Sequence, residues 1–364
     1  MSSASRFVTV KKFDRDFSKY LWGRTGNDTR AIPVRSLNVG LDDELVTFEL
    51  KPKSEISQPG FFLFWTTAIK LRSYILFLFP LFYVVSKNFL LERFRDPVAL
   101  AFALVAMMFI YAGLNIRNDI ADHISGFDRV NIPTSLKPIL LGWTTASRMS
   151  KVSWLLLIIG IVLAIPVVLL EPDEIKVLSV VVVLIVLGQF FKKNSYKEKI
   201  SGEVILFLLI GMGVTSGFQE ALGADIDRET LALGFFWGAA VLFLVHVNNF
   251  SHLLTSTQAG IKNTMTNLGF DRAKNFLMIW WGACLVIWFF FHWFYASSYL
   301  TWLSTLVLTF WSIPLFIKLS QIRSPLGSDL LKIRESAHKT FLIMVAIFFV
   351  ENAWYIGTKL NWMP

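Results

Sequence analysis

The chain has 364 residues, of which 54% are hydrophobic and only 17% are charged, and its mean hydropathy is +0.55. An ordinary soluble enzyme is excluded, because globular proteins of this size are less apolar. The formal net charge of +9 does not indicate nucleic-acid binding, because most of the basic residues follow the pattern of a membrane topology. A single cysteine, Cys284, excludes an internal disulfide framework.

Residues 1–60 form a cytoplasmic N-terminal extension that precedes a transmembrane domain over residues 61–364. The extension mixes acidic and basic residues and has little apolar periodicity beyond FVTV and LVTFEL. It lacks the short apolar core of a secretory signal. A small cap, an interfacial arm and a partly disordered tail all fit this composition. Residues 61–72 then resemble an interfacial lead-in to the first membrane span.

The transmembrane domain is predicted to be an all-α, polytopic bundle of nine helices. The sequence contains apolar stretches whose lengths approach the ~20 residues that a helix needs to cross the hydrocarbon core. The candidate spans lie at about 73–90, 98–116, 153–170, 177–191, 204–218, 231–247, 276–294, 300–317 and 340–357. With the N-terminus inside, 29 of the 35 Lys and Arg residues fall on the inner side. The positive-inside rule therefore predicts a cytoplasmic N-terminus and an outer C-terminus.

The loop after the second span begins with polar residues at helical spacing. Asn115, Asp119 and Asp122 are separated by four and three residues, so one helix face presents an amide and two carboxylates. Mg²⁺ prefers such oxygen ligands and is commonly held by one or two carboxylates together with substrate phosphates. This face is a candidate metal and substrate site. The alternative is a solvated helix end whose acids balance Arg117 and Arg129.

The full string NDIADHISGFD resembles the first aspartate-rich motif of the UbiA superfamily of intramembrane prenyltransferases. Its spacing is most similar to the branch that prenylates dihydroxynaphthoate in menaquinone synthesis. The resemblance implies that Asn118, Asp119, Asp122 and Asp128 coordinate Mg²⁺ bound to an isoprenyl diphosphate. Further similarity lies in the entry to the first helix, in the glycine-rich SGEVILFLLIGMGVTSGF and in a second motif region, so the resemblance covers about residues 60–360.

The second motif region departs from the family pattern. Asn248 and Asn249 are retained, and Asn249 stays a candidate for substrate binding, but His252 and Ser256 replace the two aspartates. His252 has three interpretations: a substitute ligand, a base that accepts a proton from an aromatic acceptor, or a polar residue in a decayed site. Imidazole is a poor ligand for Mg²⁺, which prefers hard oxygen.

Basic residues near the inner loops provide candidate contacts to diphosphate. Their alternative interpretation is ordinary anchoring at the inner membrane surface. The candidates are Arg129, Lys137, Lys192, Lys193 and Lys262.

Three other polar positions are not predicted to be catalytic. His123 next to the acidic motif is predicted to be a surface residue. His246 lies in an apolar run and is either a polar contact between helices or a pocket-lining residue. Glu351 and Asn352 are predicted to form a local polar pair.

Together, the motifs and the resemblance predict Mg²⁺-dependent transfer of an isoprenyl group from a prenyl diphosphate to an aromatic or small polar acceptor at the cytoplasmic face. Such a reaction belongs to quinone or lipid biosynthesis, and the default location is a bacterial inner membrane. The alternatives are a non-catalytic relative that binds a lipid or quinone or joins a membrane complex, and an intramembrane terpene cyclase. Asp119, Asp122 and His252 are the candidate catalytic residues.

Overall fold

The computed structural model describes residues 6–26, 28–39, 41–130, 136–190, 199–258, 260–295, 299–326 and 329–360. The chain divides into two compact units. The first comprises Met1–Tyr74, Val105–Ala164 and Thr255–Gly260, and the second comprises Ile75–Leu104, Ile165–Leu254 and Ile261–Pro364.

The N-terminal extension folds into a small α/β element within the first unit. Strands β1 (Arg6–Lys11), β2 (Thr29–Leu37) and β3 (Leu45–Pro52) form an antiparallel sheet in the order β1-β3-β2, and helix α1 (Arg15–Leu21) follows β1. Of the alternatives considered for residues 1–60, a folded cap is the one observed. The all-α prediction therefore holds for the membrane region but not for this segment.

The core of this element comes from alternation along its central strand. Val46 and Phe48 are two residues apart on β3 and are both fully buried, because side chains two apart point to the same face of a sheet. Val10 of β1 and Phe17 and Leu21 of α1 complete the cluster. The buried core of this element therefore comes from β1, β3 and α1.

The remainder of the chain is helical. Helix α2 (Phe61–Ala68) precedes a 3₁₀ turn at Leu71–Tyr74. The helices that follow are α3 (Ile75–Leu90), α4 (Pro97–Ser125), α5 (Phe127–Val130), α6 (Ala146–Leu170), α7 (Glu174–Phe190), α8 (Ile200–Leu208), α9 (Val214–Ala221), α10 (Arg228–Ser251), α11 (Leu253–Gln258), α12 (Thr264–Tyr295), α13 (Tyr299–Gln321) and α14 (Asp329–Lys359).

In the part of the chain that the structure describes, eight helical stretches are long and apolar enough to cross a membrane. They are Leu71–Leu90, Pro97–Ser125, Ala146–Leu170, Ile200–Ala221, Arg228–Ser251, Thr264–Tyr295, Trp302–Gln321 and Asp329–Thr358. The remaining predicted span, 177–191, falls on α7, which has 17 residues. The chain is a multi-pass integral membrane protein, whereas the count of nine spans and the cytoplasmic N-terminus stay predictions.

Close helix packing explains the glycines of the fifth predicted span. A π-helical turn at Leu209–Gly213 joins α8 to α9. A Cβ atom on Gly211 would lie 2.4 Å from the carbonyl oxygen of Gly234 and 2.9 Å from the Cα of Gly238, both on α10. Such contact between backbones requires residues without side chains. Gly211 therefore allows α10 to pack closely against this turn.

Candidate functional site

The first aspartate motif lies at the C-terminal end of α4. Asp119 and Asp122 are three residues apart on one face of the helix and are only 7% and 8% exposed. Gly126, with a φ of 90°, ends the helix in a conformation that favours glycine. Asp128 follows on the short helix α5 and is also buried, at 5% exposure. Three carboxylates are therefore buried together, two at the end of α4 and one on α5.

A single ammonium group lies among these three carboxylates. The Nζ atom of Lys137 is 2.5 Å from Asp128 Oδ1, 3.0 Å from Asp122 Oδ2 and 3.8 Å from Asp119 Oδ1. The Lys137 side chain is 14% exposed. The carboxylates thus converge on one cationic centre, and we call these four residues the aspartate cluster.

A second lysine reaches the cluster from the turn between α2 and α3. Lys70 Nζ is 2.7 Å from Asp119 Oδ1. The backbone of Lys70 has a φ of 54°, in the left-handed region that non-glycine residues seldom occupy. Such a conformation costs on the order of 1–3 kcal/mol and is frequent at functional sites. The fold therefore holds the Lys70 backbone in an unfavourable conformation beside the acids.

The amides of the motif have separate roles. Asn115 donates from Nδ2 to the carbonyl oxygen of Ile69 at 2.9 Å and lies 3.4 Å from the hydroxyl of Ser73. These bonds attach the turn that carries Lys70 to the motif face of α4. Asn118 is half-buried on the adjacent position of the helix. Asn115 thus orders the site, and its predicted contact with substrate stays a prediction.

Burial and charge act together on the groups of the cluster that lie outside the predicted membrane spans. Burial raises the pKa of the Asp128 carboxyl above its ordinary value, with Lys137 opposing the shift and the two other aspartates adding to it. Burial lowers the pKa of Lys137, but the three carboxylates raise it by more, so its net pKa is above the ordinary value. Lys137 is therefore held in its charged form.

The capacity of the cluster for a metal ion depends on this lysine. Among the residues that the structure describes, three or more His, Cys, Asp or Glu side chains nowhere come close enough to share a metal ion as they stand. Around Lys137 the oxygens are 2.5 to 3.8 Å from the nitrogen, whereas Mg²⁺ binds oxygen at 2.0–2.1 Å. The donor chemistry suits Mg²⁺, but the ammonium and the ion would occupy the same place.

A buried acid near the second motif was missed by the sequence analysis. Glu203 of α8 is 2% exposed and accepts hydrogen bonds from Asn249 Nδ2, from the backbone amide of Thr264 and from its hydroxyl. Its Oε1 is 3.7 Å from Nδ1 of the buried His246. A lone acid in an apolar span is a functional signal, and SGEV contained it. A carboxylate from a different helix, α8, is thus hydrogen-bonded to the second motif region.

The residues that replace the family's second pair of aspartates have other surroundings. His252 Nε2 lies 3.3 Å from Nη1 of Arg334, and Ser256 is buried at 3% exposure. A cation beside the imidazole disfavours a metal ion at the same nitrogen. Lys262 forms an isolated parallel bridge with Lys199 through the backbone. Lys192 and Lys193 lie outside the described residues.

Two predictions about the first motif are revised. Arg129 was expected to contact diphosphate, but its guanidinium side chain is 2% exposed and lies 2.6 Å from Glu44 of the N-terminal extension. His123 was expected at the surface, but it is 2% exposed and its Nε2 is 3.0 Å from the carbonyl oxygen of Leu21. In both cases, contacts with the N-terminal element bury a residue that the neighbouring sequence alone predicts to be exposed.

A third polar prediction changes in its partner. Glu351 pairs with Nε2 of His292 at 2.8 Å, and not with its neighbour Asn352, which donates to the carbonyl oxygen of Phe348. The polar pair at this position is therefore formed between α12 and α14.

Comparison with known proteins identifies the family and the fold. The sequence model of the UbiA prenyltransferase family matches residues 77–329. The structure is similar to a UbiA homologue from Archaeoglobus fulgidus bound to GPP and Mg²⁺, with a TM-score of 0.54 and 14% identity over 79% of this chain and 99% of that one. The same homologue bound to DMAPP and Mg²⁺ gives 0.53 and 15%, with the same coverage.

A second organism provides a similar fold. The apo structure of a UbiA homologue from Aeropyrum pernix K1 has a TM-score of 0.52 and 15% identity, covering 80% of this chain and 98% of that one. A comparison with curated proteins finds no match.

Proposed function

Because the chain belongs to the UbiA prenyltransferase family, we propose that it transfers an isoprenyl group from a prenyl diphosphate to an aromatic or small polar acceptor. The observation that carries this proposal is the convergence of Asp119, Asp122 and Asp128 on one cationic centre. Buried carboxylates at a membrane helix end are costly, so their concentration at one point favours a role in binding. The Mg²⁺ and prenyl diphosphate in the A. fulgidus structures support this assignment.

The aspartate cluster fits the metal by its donor chemistry. Asp119, Asp122 and Asp128 offer hard oxygen ligands, and Asn118 is the further ligand that the family motif implies. When bound, Mg²⁺ would neutralise negative charge that develops on the leaving diphosphate. Because Lys137 takes the same position, metal binding requires its ammonium to move out of the cluster.

The lysines then have a second use. An ammonium displaced from carboxylates pairs readily with phosphate oxygens. Lys137 and Lys70 would thus pair with the acids before substrate binds. After substrate binds, they would pair with the diphosphate. This exchange keeps each charge paired in both states, which lowers the cost of burying them.

The reaction breaks the bond between the allylic carbon and the diphosphate oxygen, and the electron pair leaves with diphosphate. The acceptor donates an electron pair to the allylic carbon and then loses a proton. His252 is our candidate for the proton acceptor. A guanidinium can only donate, so Nε2 is unprotonated where Arg334 contacts it, and it would accept the proton once Arg334 releases it.

The finer assignment follows the motif. The spacing of Gly126 and Asp128 after the paired aspartates supports an acceptor like that of the menaquinone branch, and hence a role in quinone or lipid biosynthesis. The isoprenyl chain would lie among the apolar helices within the bilayer. A bacterial inner membrane is the proposed location, with a membrane protein as a further partner.

A non-catalytic relative that binds a lipid or quinone is the second candidate. Two observations favour it: lysines pair with the acids of the first motif, and His252 and Ser256 replace acids in the second. Glu203, beside Asn249, is the observation against it, because it returns one carboxylate to the second region.

Purified protein should be assayed for Mg²⁺-dependent binding of a labelled prenyl diphosphate and for release of pyrophosphate. We expect both, and we expect Asp119→Asn combined with Asp122→Asn to abolish them while the thermal transition is retained. Asp329→Asn is the matched control, because Asp329 is an exposed carboxylate paired only locally with Lys332.

The outcomes separate the candidates. Binding without pyrophosphate release supports the non-catalytic relative. Release that needs no acceptor, with a cyclic hydrocarbon product, supports terpene cyclisation. Binding that the double variant leaves unchanged contradicts the assigned site.

A further inference from the structure

The N-terminal extension contacts the first motif through a buried ion pair. Glu44 Oε1 lies 2.6 Å from Arg129 Nη2, and the two side chains are 3% and 2% exposed. Glu44 directly precedes β3, and its backbone carbonyl accepts a hydrogen bond from the amide of Lys12. The backbone of Glu44 is therefore anchored at the start of β3.

Arg129 transmits this contact to the end of α4. Its Nη1 donates to the carbonyl oxygen of His123 at 2.7 Å, and its backbone amide donates to the carbonyl oxygen of Gly126 at 2.9 Å. These two bonds close the turn between Asp122 and Asp128. The position of the Asp128 carboxylate thus depends on a guanidinium that the N-terminal sheet orients.

Two further contacts attach the same segment to the extension. Nε2 of His123 hydrogen-bonds with the carbonyl oxygen of Leu21 at 3.0 Å. Ile124, the next residue, packs against the apolar cluster of the sheet and α1. A Cβ atom on Gly126 would lie 2.6 Å from the side chain of Val39. The segment 123–129 is consequently held by the extension on several sides.

From these contacts we infer that the N-terminal element is a built-in positioning domain for the aspartate cluster, and that Glu44 is its positioning residue. The family match begins at residue 77, so this role belongs to a segment that the family model does not include. The ligand-binding consequence rests on the proposed function, whereas the ordering of residues 122–130 does not. Glu44 acts through Arg129 and contacts no ligand itself.

The test uses the full-length protein with Glu44→Gln and with the double replacement of Glu44 and Arg129 by Met. Replacing both members of a buried ion pair with apolar residues of similar size commonly keeps a protein folded, so the double variant guards against simple unfolding. Thr47→Val is the matched control, because Thr47 lies on the same sheet and hydrogen-bonds to Thr9.

Two readouts are measured: amide hydrogen exchange of residues 122–130, and the affinity for Mn²⁺ with inorganic pyrophosphate. In both variants we expect exchange to accelerate about tenfold or more relative to the control, because local opening becomes easier. We expect the Mn²⁺ affinity to fall about tenfold, with the thermal transition of the double variant retained.

The two hypotheses fail in different ways. Unchanged exchange over residues 122–130 overturns the positioning role, whatever the affinity. If exchange is faster in the variants but the wild-type protein does not bind Mn²⁺ with pyrophosphate, the positioning role is supported and the proposed function is contradicted. Faster exchange with unchanged affinity overturns the link from Glu44 to the cluster.

Discussion

Two groups of buried charges in this protein have similar members and different balances. In the aspartate cluster, three carboxylates share Lys137, and Lys70 contacts Asp119. At the C-terminal end of α3, Lys87 is 6% exposed and contacts Asp227 at 2.6 Å and Glu229 at 3.3 Å. We call the second group, with Thr230 and Tyr83, the Lys87 network.

The two groups differ in whether the partners of the lysine also form bonds that hold the structure together. In the Lys87 network every partner also has a structural bond: Asp227 caps α10 by accepting from the amide of Thr230, and Tyr83 donates to Glu229. Lys87 is thereby fixed between two helices. In the aspartate cluster, three carboxylates face two lysines, and removal of Lys137 would leave the three acids around one point. A saturated network indicates stability, and an acid-rich one indicates binding of a cation.

The largest expected effect tests the structural side of this comparison. Lys87→Met leaves the partly buried Asp227 and Glu229 without their buried cation. Breaking a fully buried pair costs about 3–5 kcal/mol, which is the upper limit here. We expect a markedly lower thermal transition in detergent and an unchanged affinity for Mn²⁺ in protein that remains folded. Lys176→Met is the control, because Lys176 forms an exposed local pair with Asp173. A stable Lys87→Met variant would contradict the distinction.

A second variant extends the comparison to a carboxylate bonded to neutral donors. Glu203→Gln removes the charge that accepts from Asn249 and Thr264, and such charge-assisted bonds are worth about 1.5–3 kcal/mol. We expect a smaller loss of thermal stability than for Lys87→Met, together with lower turnover if Glu203 replaces the missing acids. Glu335→Gln, at an exposed position of α14, is the control. Full stability and full turnover would mean that this carboxylate has neither role.

The membrane region and the acids of the first motif could be predicted from the sequence because both follow local periodicity. Span length follows from runs of apolar residues, and the shared face of Asp119 and Asp122 follows from helical spacing. Asp128 was predicted as a ligand from the resemblance to the family motif. These features need only neighbouring residues, and they are the ones that the structure places together.

The partners of those acids could not be predicted, because they come from distant parts of the chain. Lys70 and Glu44 precede the motif by about fifty and eighty residues, and nothing in either position specifies its contact. The wrong surface assignment of His123 has the same cause, since its cover is Leu21 of the extension. Glu203 is different: an isolated acid in an apolar span was visible and was overlooked.

A third prediction concerns the binding side of the comparison. Lys137→Met removes the ammonium that lies among the three carboxylates. The ion-free protein therefore loses stability, as in Lys87→Met, but a divalent ion no longer has to displace the lysine. We expect the affinity for Mn²⁺ to rise about tenfold, which corresponds to about 1.4 kcal/mol. Lys151→Met, at an exposed position of α6, is the control and should leave the affinity unchanged. A weaker affinity in Lys137→Met would mean that the lysine supports ion binding instead of competing with it.

The smallest expected effect is a pH dependence in the Lys87 network. Burial raises the pKa of Asp227, but hydrogen bonds from Lys87 and from the amide of Thr230 lower it by more, so its net pKa is below the ordinary value. An acid with a lowered pKa in the folded state adds stability at pH above its unfolded value of about 3.9, and this stability is lost as the pH falls further. Asp227→Asn keeps a good helix cap but removes the ion pair with Lys87 together with the titration. Below about pH 4, the thermal transition temperature of the variant should therefore fall less steeply with pH than that of the wild type. Parallel curves would show that the ion pair of Lys87 with Asp227 does not set the acid stability of the protein.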